Sequence, residues 1–242
     1  MLDVESKLLS LADPAQAVNL ARFFKTGPGG YGEGDRFLGV KVPRIRAVVR
    51  EARGLSPAEA ARLLASPWHE VRLAGLLVLV DDFAGVQKTD DVTVGHEIFE
   101  IYLKAAHDGR INNWDLVDLT APQIVGGWLE HRDRAALSRL ARSASIWERR
   151  IAVLACFTFI KAGETTTAFE ILQQVEHDPH DLLQKAAGWM LREIGKRCGR
   201  QTLVDWLASD SHRYRRLPRT TLRYAIEHFP SEVRQRYLRG EI

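Results

Sequence analysis

Apolar residues recur at three- and four-residue intervals along almost the whole chain, and strand-like alternation bounded by turn residues is hard to find. That periodicity predicts an all-α protein. Helix starts are signalled where Ser56-Pro57, Ser66-Pro67 and Asp178-Pro179 put a capping side chain ahead of a proline. Helix stops are signalled by Gly109, Gly163 and Gly199.

The helical pattern also repeats. Arg72-Leu73-Ala74-Gly75-Leu76, Arg150-Ile151-Ala152-Val153-Leu154 and Lys185-Ala186-Ala187-Gly188-Trp189 each begin with a cation and carry small residues inside an apolar helix, and Arg219 opens a looser fourth copy. Arg150 and Lys185 are 35 residues apart, Lys185 and Arg219 are 34 apart, and the 78 between Arg72 and Arg150 leave room for one further copy. Such periods predict an α-solenoid of stacked antiparallel helix pairs, forming a single domain over residues 1–242. If each pair turns its inner helix to a concave face, the repeated cations line a trough that fits a rod-shaped polyanion.

Composition narrows the classes. The 34 basic and 31 acidic residues leave only +3, but residues 192–242 hold 12 Lys or Arg against 6 Asp or Glu, an excess of +6. The positive field is concentrated at the C-terminal end. Cys156 and Cys198 lie in helical context without a CxxC partner, so they read as inert thiols of a reducing cytosol rather than zinc ligands or a disulfide. The N-terminal residues lack the pattern of a signal peptide, and the longest apolar stretch, 73–80, is too short for a bilayer. A cytoplasmic monomer with no membrane contact is expected.

Asn113-Trp114-Asp115-Leu116-Val117-Asp118 sets an indole and a carboxylate one helical turn apart, so Trp114 and Asp118 share a face. The segments around Trp147 to Arg150 and Lys185 to Trp189 pair an aromatic with a cation again. The combination suits a cationic substrate held on a polyanion. Asp115 reads as a first-turn acid favoured by the helix dipole, the Glu148-Arg149-Arg150 run as a solvated face, and Trp68, Trp128 and Trp206 as core. The glycine-rich residues 27–34 lack the lysine and hydroxyl of a phosphate loop and read as a mobile connector. His177 and His180 flank Asp178-Pro179 without a third ligand, so no metal and no cofactor are expected.

Five segments in order, Phe37-Leu38-Gly39-Val40-Lys41-Val42-Pro43, His69-Glu70-Val71-Arg72, Asn113-Trp114-Asp115-Leu116-Val117-Asp118, Ile146-Trp147-Glu148-Arg149-Arg150 and Gln184-Lys185-Ala186-Ala187-Gly188-Trp189-Met190-Leu191-Arg192-Glu193, resemble the signatures of the AlkD family of DNA alkylation repair glycosylases. The likeness spans about residues 18–200. It implies a HEAT-like solenoid that grips double-stranded DNA and releases N3- or N7-alkylated purines without flipping the base. By position, Asp118 matches the catalytic carboxylate, Trp114 and Trp189 the two indoles beside the lesion, and Arg150 a DNA contact. Lys41, Arg72, Lys185 and Arg192 are further phosphate contacts in this reading. Asn113 and Phe23 depart from the family pattern, where a second aromatic and a tyrosine can stand.

The chemistry fits these residue types independently. A cationic alkylpurine leaves neutral and needs no proton, so one carboxylate suffices where ordinary glycosidases use two. Relatives that keep the scaffold but lose the carboxylate would bind branched or damaged DNA without cutting it, and a helical-repeat scaffold for a protein partner rests on fold alone. Asp118 separates the first alternative, and salt-sensitive DNA affinity the second.

Overall fold

In the computed structural model, residues 3–52 and 54–242 are described, and among them every regular element is a helix. They fall into two compact units, one ending at Ile124 and the other running Val125–Ile242. The sequence pattern led us to expect one continuous domain.

The first unit comprises α1 (Val4–Ser10), α2 (Pro14–Phe23), α3 (Val42–Glu51), α4 (Pro57–Leu64), α5 (His69–Thr89), α6 (Val92–His107) and α7 (Trp114–Asp118). Its axis is α5, which packs against α1, α3, α4 and α6. Residues 69–79 of this helix are all buried. Gly75 is needed there, because a Cβ would stand 2.9 Å from the Ala60 carbonyl oxygen of α4. Ser56 and Glu59 form the capping box expected at α4.

A π-helical turn (Pro122–Gly126) begins in the first unit and runs into α8 (Gly127–Leu129) of the second, which continues with α9 (Ala135–Ala141), α10 (Ile146–Lys161), α11 (Thr166–Gln174), α12 (Asp181–Arg197), α13 (Arg200–His212), α14 (Arg219–Ala225) and α15 (Ser231–Arg239). Helices α10, α12 and α14 pack in a row, flanked by α9, α11 and α13. The predicted repeat is visible here. Arg150, Lys185 and Arg219 occupy the opening turns of the three helices in the row. Gly188 permits a close approach, since a Cβ would lie 2.5 Å from both the Thr221 carbonyl oxygen and Tyr224 Cβ of α14.

Helix ends follow the sequence with two displacements. Gly109, Gly163 and Gly199 stand just past α6, α10 and α12 with positive φ, as expected. Ser66 does not cap α5, which begins at His69; its hydroxyl instead accepts from Trp68 N–H and donates to Glu5. Likewise α12 is capped by His180, while Asp178 accepts from His180 N–H. In both cases a polar residue two or three positions upstream bridges to another element instead. No helix among the described residues is long and apolar enough to cross a membrane.

Candidate functional site

The short helix α7 begins at Asn113, whose backbone is extended and whose side-chain oxygen accepts from Trp114 N–H at 2.9 Å. Five residues cannot hold a helix on their own. Side chains from far along the chain fix it. Asp115 accepts from His69 Nε2 at 2.9 Å, and the opposite ring nitrogen, Nδ1, donates to Asp35 at 2.7 Å. Asp35 also accepts from Arg72 Nη2 at 2.6 Å, which in turn donates to Asn112 at 2.9 Å. The remaining Arg72 nitrogens donate to the carbonyls of Arg110 at 3.0 Å and Ser66 at 3.3 Å. One buried polar network therefore spans the entry to α7, the start of α5 and the segment before α3.

Burial opposes a charge on His69, but the Asp115 and Asp35 carboxylates outweigh it and raise the imidazole from 6.5 to about 9. The ring is an imidazolium at neutral pH, donating from both nitrogens. Burial likewise works against the Asp35 anion, yet His69 and Arg72 hold its carboxyl below the usual carboxylate range.

Beside this network Glu70, 1% exposed, accepts the backbone N–H groups of Leu38 at 2.8 Å, Gly39 at 2.8 Å and Val40 at 3.2 Å. Gly39 has φ +91°, and a Cβ there would lie 2.1 Å from the Asp13 carbonyl oxygen at the head of α2. The carboxylate thus ties the Phe37–Val40 signature to the His69–Arg72 signature.

An aromatic stack leads from this base to Trp114. Phe37 stacks on His69 with centroids 4.4 Å apart, Phe24 on Phe37 at 5.0 Å, and Trp114 on Phe24 at 5.1 Å. Phe23 meets the Trp114 edge at 5.8 Å and is itself 62% exposed. Trp114 is half-buried, with its orientation set by stacking. Asp118, one turn later, is also half-buried, and its charge joins burial in raising the phenol of Tyr102. That phenol pairs with Thr120 Oγ1 at 2.9 Å. Asn113 is fully buried with no protein partner for Nδ2, and it packs so tightly on Gly32 that a Cβ there would come within 2.9 Å of it. The glycine-rich segment is therefore part of the wall around α7, which corrects its reading as a plain connector.

In the second unit Arg150 is 5% exposed and donates to the Leu182 carbonyl, joining α10 to the first turn of α12. Lys185 is half-buried beside Asp181 at 2.6 Å. Trp189 is half-buried and its ring lies 6.2 Å from Phe157. Arg192 is bound by Glu227. Lys41 is exposed at the start of α3 in the first unit.

Three expectations need correction. Arg72 does not grip phosphate: it is 4% exposed and its guanidinium is committed to four acceptors within the unit. Arg149 is not on a solvated face, because it pairs with Asp178 at 2.7 Å and donates to the Ser143 and Ala144 carbonyls. Trp68 and Trp206 are half-buried under Arg36 and Arg213, and only Trp128 of the three is core. Cys156 is fully buried, which pushes its thiol up, and Cys198 is partly exposed. Asp178 and His180 serve the ion pair and the helix cap, and no group of three or more His, Cys, Asp or Glu among the described residues could hold a metal ion.

Reasoning from sequence overlooked Asp35, His69 and Glu70 as a working unit. The signal was available in charged residues at the head of a helix too apolar to be solvated.

Comparison with known proteins identifies the family and the fold. A family model described as DNA alkylation repair enzyme matches residues 4–229. Among solved structures, a predicted DNA alkylation repair enzyme from Enterococcus faecalis superimposes with a TM-score of 0.64 at 14% identity, covering 91% of this chain and 97% of that one. No curated protein sequence matches.

Proposed function

Because the chain belongs to the family of DNA alkylation repair enzymes, we propose that it is a DNA glycosylase that excises cationic N3- or N7-alkylated purines from duplex DNA, in the manner of the AlkD group. The observation that carries the reading is α7 itself, where Trp114 and Asp118 stand on one face of a single turn clamped in place from below. Rigid support of this kind is what a preorganised electrostatic site requires.

In the reaction the glycosidic C1′–N bond breaks and its electron pair moves into the purine ring, cancelling the positive charge brought by the alkyl group. No acid is needed for the leaving base. The Asp118 carboxylate stabilises the oxocarbenium character that develops on the sugar and orients a water molecule. The water oxygen bonds to C1′, and its proton passes through the carboxylate to solvent. The products are a free alkylpurine and an abasic sugar.

Trp114 offers its indole face to the cationic nucleotide, an attraction of about 0.5–2 kcal/mol depending on desolvation. Selection is then by charge rather than by a shape-matched pocket, which accords with excision from within the helix. Trp189 is proposed as the second indole on the DNA, and Lys41, Lys185 and Arg192 as phosphate contacts. Arg150, although 5% exposed and donating to the Leu182 carbonyl, is proposed as a DNA contact solely because the Ile146–Arg150 segment resembles the family signature.

The test is release of methylated purines from treated duplex by wild type and Asp118→Asn side by side. Wild type should release base well above the spontaneous rate; Asp118→Asn should lose release while retaining most duplex affinity. Equal rates for the two proteins, or none above background with DNA bound, refute the assignment.

A further inference from the structure

The second unit holds a cavity of about 650 Å³ whose lining includes Arg192, Lys196, Arg200 and His228 above an apolar floor with Leu203 and Phe229. Among the described residues, none that lines it is acidic. Arg192 and Lys196 are one turn apart on α12, a like-charge spacing that destabilises a helix unless something compensates. Glu227 binds one edge of the Arg192 guanidinium and Glu193 lies 3.8 Å from it, yet Arg192 Nε is buried without a protein partner. Arg200 lies over the Phe229 ring at 5.4 Å. Gly199 gives α13 no side-chain cap, so the positive end of that helix adds to the field around Arg200 and Leu203.

The position matters as much as the charge. Lys185, Trp189, Arg192 and Lys196 follow each other at intervals of four, three and four residues, so they form one stripe along α12. All four are at least partly exposed. At 1.5 Å per residue, the groove end of the stripe lies about 10 Å beyond Trp189.

We propose that this groove seats a backbone phosphate of duplex DNA, with the adjoining deoxyribose against Leu203 and Phe229. The inference rests on the DNA-binding part of the proposed function but not on the chemistry of Asp118. Lys196, Arg200 and His228 thereby become DNA contacts that the signature segments do not contain.

The test is binding of an unmodified duplex, followed by fluorescence anisotropy between 50 and 200 mM salt. Losing one phosphate contact should make the loss of affinity across that range about threefold smaller. The double variant Lys196→Ala/Arg200→Gln should show this change. Lys196→Arg/Arg200→Lys should keep the wild-type slope, and so should Lys161→Ala, which removes an exposed cation outside the groove. A double variant with the wild-type slope overturns the proposal, as does a charge-retaining variant that loses it. A nucleoside monophosphate titrated alone should leave the His228 ring resonances unmoved while duplex shifts them; saturable binding of the free nucleotide would overturn the backbone assignment. Because the duplex carries no lesion, the slopes test binding alone; the expected slopes together with no release of methylated purines from treated duplex would refute the glycosylase reading and leave the groove assignment standing.

Discussion

His69 makes the stability of the first unit depend on pH in a direction opposite to most buried histidines. Its ring is raised from 6.5 to about 9 because two carboxylates outweigh burial. A group held more basic in the folded chain contributes fully below its unfolded value and loses that contribution as pH climbs through the folded one. The interval from 6.5 to about 9 corresponds to about 3 kcal/mol, a large share of a typical domain's stability. Urea unfolding followed by tryptophan fluorescence at several pH values between 6 and 9.5 should show wild type weakening across that window. His69→Gln should be less stable than wild type at pH 6, because it leaves Asp35 and Asp115 with no cation between them; losing one partner of a buried pair costs about 3–5 kcal/mol. Its stability should also vary less with pH. If the difference between the two proteins stays constant from pH 6 to 9.5, the imidazolium does not hold the network and the reasoning fails.

Two further outcomes follow from close approaches elsewhere. Gly188→Ala forces a Cβ to within 2.5 Å of the Thr221 carbonyl oxygen, so thermal melting should report a loss of about 1–3 kcal/mol from overpacking, and an unchanged midpoint would mean that α12 and α14 are not so tightly apposed. Glu70→Gln exchanges a carboxylate that accepts three backbone N–H groups for an amide with one accepting oxygen; it should cost about 1–3 kcal/mol and release the amides of Leu38, Gly39 and Val40 to faster hydrogen exchange, whereas wild-type protection at all three would contradict the contact.

Much of the architecture was legible before any coordinates, because helix periodicity and punctuation are local. Gly109, Gly163 and Gly199 mark real ends, and the spacing of Arg150, Lys185 and Arg219 reports a real row of helices. Trp114 and Asp118 were also legible, since four residues on a helix fix a shared face without knowledge of anything else. Arg72 was misread for the complementary reason. Its acceptors Asp35, Arg110 and Asn112 lie 37, 38 and 40 residues away, and periodicity carries no information about pairings at that range. The division at Ile124 was equally hidden, because the cation repeat continues on both sides of it.

The clamp beneath α7 bears on protein engineering. Grafting the Trp114–Asp118 turn onto another helical scaffold would move five residues while leaving behind Asp35, His69 and Arg72, the side chains that make the turn rigid. A successful transplant must carry the start of α5 and the Asp35 segment with it, so the smallest portable module is discontinuous in the chain.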